Sequence, residues 1–164
     1  MQHSFSELDK QFMQRAIELA KNAEDEGEVP VGAVLVKDGV IISEGWNRSI
    51  ICHDATAHAE IQTLRKAGES LSNYRLLDTT LYVTLEPCPM CAGAILHSRV
   101  KRVVFGAFDL KAGAAGSVLN LFDSQAAYHY ADVEGGLMEQ ECREMLQAFF
   151  KRRRKEIKQK KKDS

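Results

Sequence analysis

The sequence predicts a mixed α/β fold, in which a central sheet of about five strands is flanked by helices on both faces. Strand-like and helix-like segments alternate after an opening pair of strands, the pattern of a sheet covered on both sides. The chain has 164 residues, 45% of them hydrophobic, enough to bury a core without disulfides. With no internal repeat and no linker, residues 1–164 are expected to form one domain.

After Ser6, the segment SELDKQFMQRAIELAKNAEDEGEVP sets Leu8, Phe12, Ala16, Leu19 and Ala23 at three- and four-residue steps. Those steps mark an amphipathic helix that ends before Pro30, opened by a capping box of Ser6 and Asp9. In VGAVLVKDGVIISEGW two apolar runs flank Lys37, Asp38 and Gly39. Asp-Gly tolerates the positive dihedrals of a tight hairpin, so two antiparallel strands are expected. The segment from about His58 to Lys66 reads as a helix with Ile61 and Leu64 on one face and Gly68 as its stop. TLYVTLEP is a strand ended by Pro87, CPMCAGAILHS a helix and RVVFGAF a strand. A glycine-containing loop KAGAAGS, a strand-like AYHYADVEGG and a long helix from about Leu137 complete the chain.

Charge is unevenly spread. Residues 151–164 hold nine Lys and Arg against two Asp and Glu, a net +7 that leaves −8 on residues 1–150. An acidic body therefore ends in a basic tail, a pattern suited to nucleic acid phosphates as well as to a solvated helix end. No apolar run suits a membrane helix, and MQHSFSELDKQF lacks the features of a secretory signal, so a soluble cytoplasmic protein is expected.

Two of the four cysteines stand three residues apart in PCPMC. Cys88 and Cys91 fall where a strand gives way to a helix, and residues three apart on a helix share a face. A CxxC pair alone fits a redox dithiol or half of a zinc site. His58, in HAE thirty residues upstream, supplies a third ligand, and a His-Cys-Cys set leaves zinc one position for water, the catalytic pattern. A structural zinc would need a fourth ligand from Cys52, His53, His97 or Cys142, none at a telling spacing. Glu60 follows His58 by two residues, placed to act as a general base beside such a water.

HAE followed by PCPMC has the form HxE…PCxxC and resembles the zinc-dependent nucleobase deaminases, within them the bacterial tRNA adenosine deaminases. The likeness extends in order through EVPVGAVLV, EGWNR, TAHAEI, NYRL, TLYVTLEPCPMCAGAILHSR, VVFGAFD, GAAGS and FFKRRRKEIK. It implies a cytidine deaminase-like fold, one Zn2+ per subunit, a homodimer, and hydrolytic deamination of the wobble adenosine in a tRNA anticodon stem-loop to inosine. Carried over by position, His58, Cys88 and Cys91 bind zinc, and Glu60 moves the proton. Asn47 contacts the nucleotide, Pro30 and Val31 line the base pocket, and Asp109 lies near the sugar-phosphate backbone. Phe108 departs from relatives that carry a polar or basic residue beside this aspartate.

The tail is read as an RNA contact through Arg152 and Arg153, with Phe149 and Phe150 available to stack on an unpaired base. Cys52 and Cys142 are expected to be semi-buried thiols, His53, His97 and His129 to be packing or surface residues, and GAAGS to be a close-packed turn lacking the spacing of a P-loop.

Overall fold

The computed structural model describes residues 5–125, 127 and 129–164. The chain runs through α1 (Glu7–Asp25), β1 (Gly32–Lys37), β2 (Val40–Trp46), α2 (Ala59–Leu71), β3 (Thr79–Leu85), α3 (Pro89–His97), β4 (Arg102–Ala107), a 3₁₀ turn (Leu121–Asp123), β5 (Asp132–Gly135) and α4 (Glu139–Asp163). The five strands form one sheet in the order β2-β1-β3-β4-β5. β1 pairs antiparallel with β2 and β3, and β3-β4 and β4-β5 are parallel, so the sheet is mixed as expected.

Local chemistry starts the fold. The Ser6 hydroxyl accepts from the Asp9 amide, and Asp9 Oδ2 accepts from the Ser6 amide at 3.1 Å, closing the capping box. Asp38 and Gly39 both adopt positive φ, 52° and 75°, and turn β1 into β2. The apolar stripe of α1 is rotated from the sequence expectation. Leu8 is exposed, while Met13, Ala16, Ile17, Leu19, Ala20 and Ala23 are buried. The helix meets the sheet at Gly32, where a Cβ would collide with the Ala16 carbonyl.

Successive side chains of a strand point to opposite faces, and here both faces are dry. Val34, Val36, Tyr82 and Val104 pack with α1 and with Leu137 and Cys142 on one side. Ala33, Leu35, Leu81, Val83, Val103 and Phe105 pack with α2 and α3 on the other. The α1 helix is fastened to the sheet by a polar network. Asp9 Oδ1 accepts from Tyr82 Oη at 2.6 Å and from Arg102 Nη1 at 2.9 Å, and Oδ2 accepts from Arg102 Nη2 at 3.0 Å. Arg102 Nε also donates to Glu134. Burial pushes the Asp9 carboxyl up, but the hydrogen bonds from Arg102, Tyr82 and Ser6 outweigh it and hold the group well below the usual carboxylate range.

Two boundaries differ from the sequence reading. Gly68 lies inside α2, which ends at Ser72 in the left-handed region with φ 51°. Of the expected strand AYHYADVEGG, only Asp132–Gly135 pairs in the sheet, and Tyr128 lies outside the described residues. Of the thiols expected to be semi-buried, Cys52 is exposed and Cys142 is wholly buried against Gly106, whose missing Cβ gives α4 its close approach to β4.

Candidate active site

Three helix-linked ligands converge at one end of the sheet. His58 is the N-cap of α2 and Cys88 the N-cap of α3, and neither side chain caps its own helix. Both are left to face a common point, which Cys91, one turn into α3 and fully buried, also reaches. Their three ligand atoms lie within 4.8 Å of one another. His58 Nδ1 stands 3.7 Å from Cys88 Sγ and 3.6 Å from Cys91 Sγ. Tetrahedral zinc, with bonds of about 2.3 Å to sulfur and about 2.05 Å to nitrogen, sets N···S edges of about 3.6 Å, so the trio fits that ion.

The protonation of the trio is uneven. Hydrogen bonding from Cys91, reinforced by that from His58, lowers the Cys88 thiol to about 4. The same bond with Cys88, together with burial, pushes the Cys91 thiol up, so the two sulfurs share one proton. Its hydrogen bond to Cys88 raises the His58 imidazole. Glu60, in the first turn of α2, is 4% exposed, and burial raises its carboxyl to about 7 against the opposing pull of its backbone hydrogen bond and of His58. A divalent cation nearby would favour its charged form.

A cavity of about 850 Å³ opens over His58, Glu60 and Cys88. Its apolar walls include Val29, Val31, Leu85, Phe108 and Phe150, and its polar lining includes Asn47, Gln147, Glu86 and Asp109. Lys111, Arg143 and Arg154 bring positive charge to it. Asn47 has a divided role. Its Oδ1 accepts from the Ala59 amide at 2.8 Å, supplying the cap that His58 does not, and its Nδ2 donors are left for the cavity.

A family model for the cytidine and deoxycytidylate deaminase zinc-binding region matches residues 6–107. The chain belongs to this deaminase family. Within it, the chain is 56% identical over 154 residues to a tRNA-specific adenosine deaminase of Haemophilus influenzae, covering 93% of this chain and 89% of the relative. The tRNA-specific adenosine deaminase of Bacillus subtilis is 49% identical over 92% of this chain and 93% of its own. A solved structure from a study of A-to-I editing by tRNA:A34 deaminases superposes with a TM-score of 0.81 at 46% identity, covering 82% of this chain and 98% of that one. The fold is therefore that of the cytidine deaminases, and the chain is a zinc-dependent hydrolytic deaminase.

Several site expectations move by one residue. Pro30 is buried but does not line the cavity of the deaminase; Val29 and Val31 do, because alternate residues of an extended segment share a side. Phe149 is 3% exposed, lies beneath Arg152 and Arg153, and reaches only the edge of a smaller recess rather than the cavity. Phe150, 43% exposed, lines the cavity instead. Arg152 pairs with Glu24, and Arg153 donates to the Gly27 carbonyl and lines a smaller recess with Asn47, His58 and Phe150. The sequence reading missed two buried glutamates, Glu28 and Glu86. Glu28 accepts from the amides of Ile50 and Ile51 and fixes the loop that leads to His58.

Proposed function

We propose that the protein deaminates the wobble adenosine of a tRNA anticodon stem-loop to inosine, in the cytoplasm, with His58, Cys88 and Cys91 holding one zinc ion. The observation that carries this reading is the 56% identity to a tRNA-specific adenosine deaminase across 93% of the chain. The match of the N···S distances to tetrahedral zinc supports the ligand set.

When bound, zinc lowers the pKa of a water molecule to about 7, making it a nucleophile near neutral pH. Glu60 accepts the proton that this water gives up and delivers it to N1 of the purine, and it then carries the remaining proton of the hydroxyl added at C6 to the amino group, which leaves as ammonia as the C6 carbonyl forms. Its burial suits both directions of transfer, since a carboxyl near 7 releases a proton as readily as it takes one. The Nδ2 donors of Asn47 hold the nucleotide, and Val29 and Val31 pack against the base. Asp109 and the cations Lys111, Arg143 and Arg154 face the sugar-phosphate chain. Phe150 offers a flat apolar face to a neighbouring unpaired base. An anticodon loop base is already unpaired, so extruding it costs less than flipping one from a duplex.

A homodimer belongs to the same reading, and the open groove between α2 and α3, lined by Ile61, Leu64, Tyr74 and Ala94, is available for it. Sedimentation of the zinc-loaded protein checks that state.

An anticodon stem-loop with adenosine at the wobble position, incubated with enzyme of measured zinc content, is expected to yield inosine, while free adenosine and cytidine stay intact. Glu60→Ala is expected to keep zinc and RNA affinity and lose turnover by about 10²- to 10⁴-fold. Ammonia released from a free nucleoside, with no inosine in the RNA, would overturn the substrate assignment.

A further inference from the structure

We infer that Glu86 is a positioning residue whose carboxylate sets the loop carrying Phe108 and Asp109 against the substrate pocket. Glu86 follows β3 directly and is 2% exposed. Its amide donates to the Ala107 carbonyl at 2.9 Å, which extends the contact between β3 and β4. Its side chain turns to the loop of residues 109–117. Oε1 accepts from the Asp109 amide at 3.0 Å and from the Ser117 hydroxyl. Oε2 accepts from the amides of Ala115 at 3.0 Å and Ser117 at 3.1 Å. Four donors from one loop thus fill the acceptor sites of one carboxylate. The neighbouring Pro87 carbonyl adds a bond from the Ala114 amide at 2.8 Å. A Cβ on Gly113 would run into the Glu86 carboxyl, so the loop is drawn over this side chain as closely as its backbone allows.

The bond to Asp109 matters most for the pocket. Asp109 Oδ1 is turned back to the amides of Lys111 and Ala112, at 3.0 and 3.1 Å. Glu86 therefore holds the residue by its amide while the loop holds one carboxylate oxygen, and together these fix where the second oxygen points. Phe108 and Leu110, on either side, line the cavity. Glu86 touches no reacting atom; it acts through Asp109.

Glu86→Gln isolates this function because an amide offers one acceptor and one donor end. With its nitrogen in the place of Oε2, it would oppose two backbone N–H groups. With the nitrogen in the place of Oε1, the Ser117 hydroxyl can rotate to accept, and only the Asp109 N–H is left facing another donor. The second orientation loses least, so the substitution releases Asp109 and keeps the rest of the clasp.

This inference rests on the reading of the cavity as the RNA site. On the zinc-loaded enzyme with the anticodon stem-loop, Glu86→Gln is expected to raise KM about tenfold with a smaller change in kcat and unchanged zinc content. In an Asp109→Ala background the same substitution is expected to change KM by less than about twofold, because the side chain it acts through is gone. Equal effects in both backgrounds would overturn the inference and leave the RNA site standing. An Asp109→Ala enzyme with unaltered KM would overturn the role of Asp109 and the inference with it. A measurement on the unsubstituted holoenzyme stands apart from any folding defect. The Asp109 amide is expected to exchange its hydrogen at least about a hundredfold more slowly than an open loop amide, and exchange at the open rate would overturn the clasp.

Discussion

Asp9→Asn is the substitution whose cost can be worked most fully from the structure. The two carboxylate oxygens of Asp9 accept four hydrogen bonds, from Tyr82, twice from Arg102 and from the Ser6 amide, on a side chain that is 7% exposed. Asparagine has the same shape, but its NH₂ must stand where one oxygen received two donors: in the place of Oδ2 it loses two bonds, and in the place of Oδ1 the Tyr82 hydroxyl can rotate to accept, so that the bond from Arg102 Nη1 is lost. The charge opposite Arg102 is lost as well. Removing one partner of a buried pair costs about 3–5 kcal/mol. Arg102 is 25% exposed and keeps Glu134, which places the cost at the lower end, about 3 kcal/mol. For a chain of this size that corresponds to a fall in Tm of roughly 6–12 °C. Because the folded carboxyl is held below its unfolded value, its stabilisation is complete above about pH 4–5 and disappears as the pH falls through the folded value. Urea unfolding of both proteins should therefore show a constant gap between pH 6 and 8 that narrows on acidification below pH 4. A difference under about 1 kcal/mol at pH 7, or a gap that does not narrow in acid, would refute the argument.

The adjacent phenylalanines should separate cleanly. Phe149→Ala is expected to destabilise the fold by about 3–5 kcal/mol in thermal or urea unfolding, whereas Phe150→Ala should leave stability nearly unchanged and weaken stem-loop binding by roughly 1–3 kcal/mol. Removing residues 155–164, all exposed, should leave zinc content and the folded state intact while flattening the dependence of log Kd on log salt, by about 0.7 for each single-strand phosphate that the tail neutralises. Zinc uptake by apoprotein at pH 7 should release at least one proton, since Cys91 must give up the proton it shares with Cys88. Calorimetry in buffers of different ionisation enthalpy would read this release, and uptake without it would contradict the protonation of the trio.

What could be read in the sequence was what local chemistry decides. Ser6 and Asp9 form their capping box within one turn, and Asp38-Gly39 makes its hairpin through its own dihedrals. The zinc trio was legible because chemistry fixes ligand types and helix starts fix their aim. Phe149 and Phe150 were not separable, because neighbours on a helix lie about 100° apart and only the packing of α4 on the body decides which turns inward. Gly68 read as a stop because glycine usually takes the left-handed position, yet here Ser72 takes it. Glu28 and Glu86 carried no signal of their partners in their sequence neighbours, since the groups they accept from lie more than twenty residues away. One signal was present in the second case: the glutamate stands directly between the strand TTLYVTL and PCxxC, where both neighbouring segments are held inside the fold.

The segment from Glu86 to Cys88 serves two masters within three residues. Glu86 holds the pocket loop, and Cys88 faces the metal position. With only Pro87 between them, and that proline's carbonyl held by the Ala114 amide, any shift of the cysteine would reach the loop with little slack. Through this segment metal occupancy and RNA affinity would be thermodynamically linked, and such linkage is reciprocal. Whatever factor zinc contributes to the affinity for RNA, bound RNA must return to the affinity for zinc, so the substrate guards the cofactor that it requires.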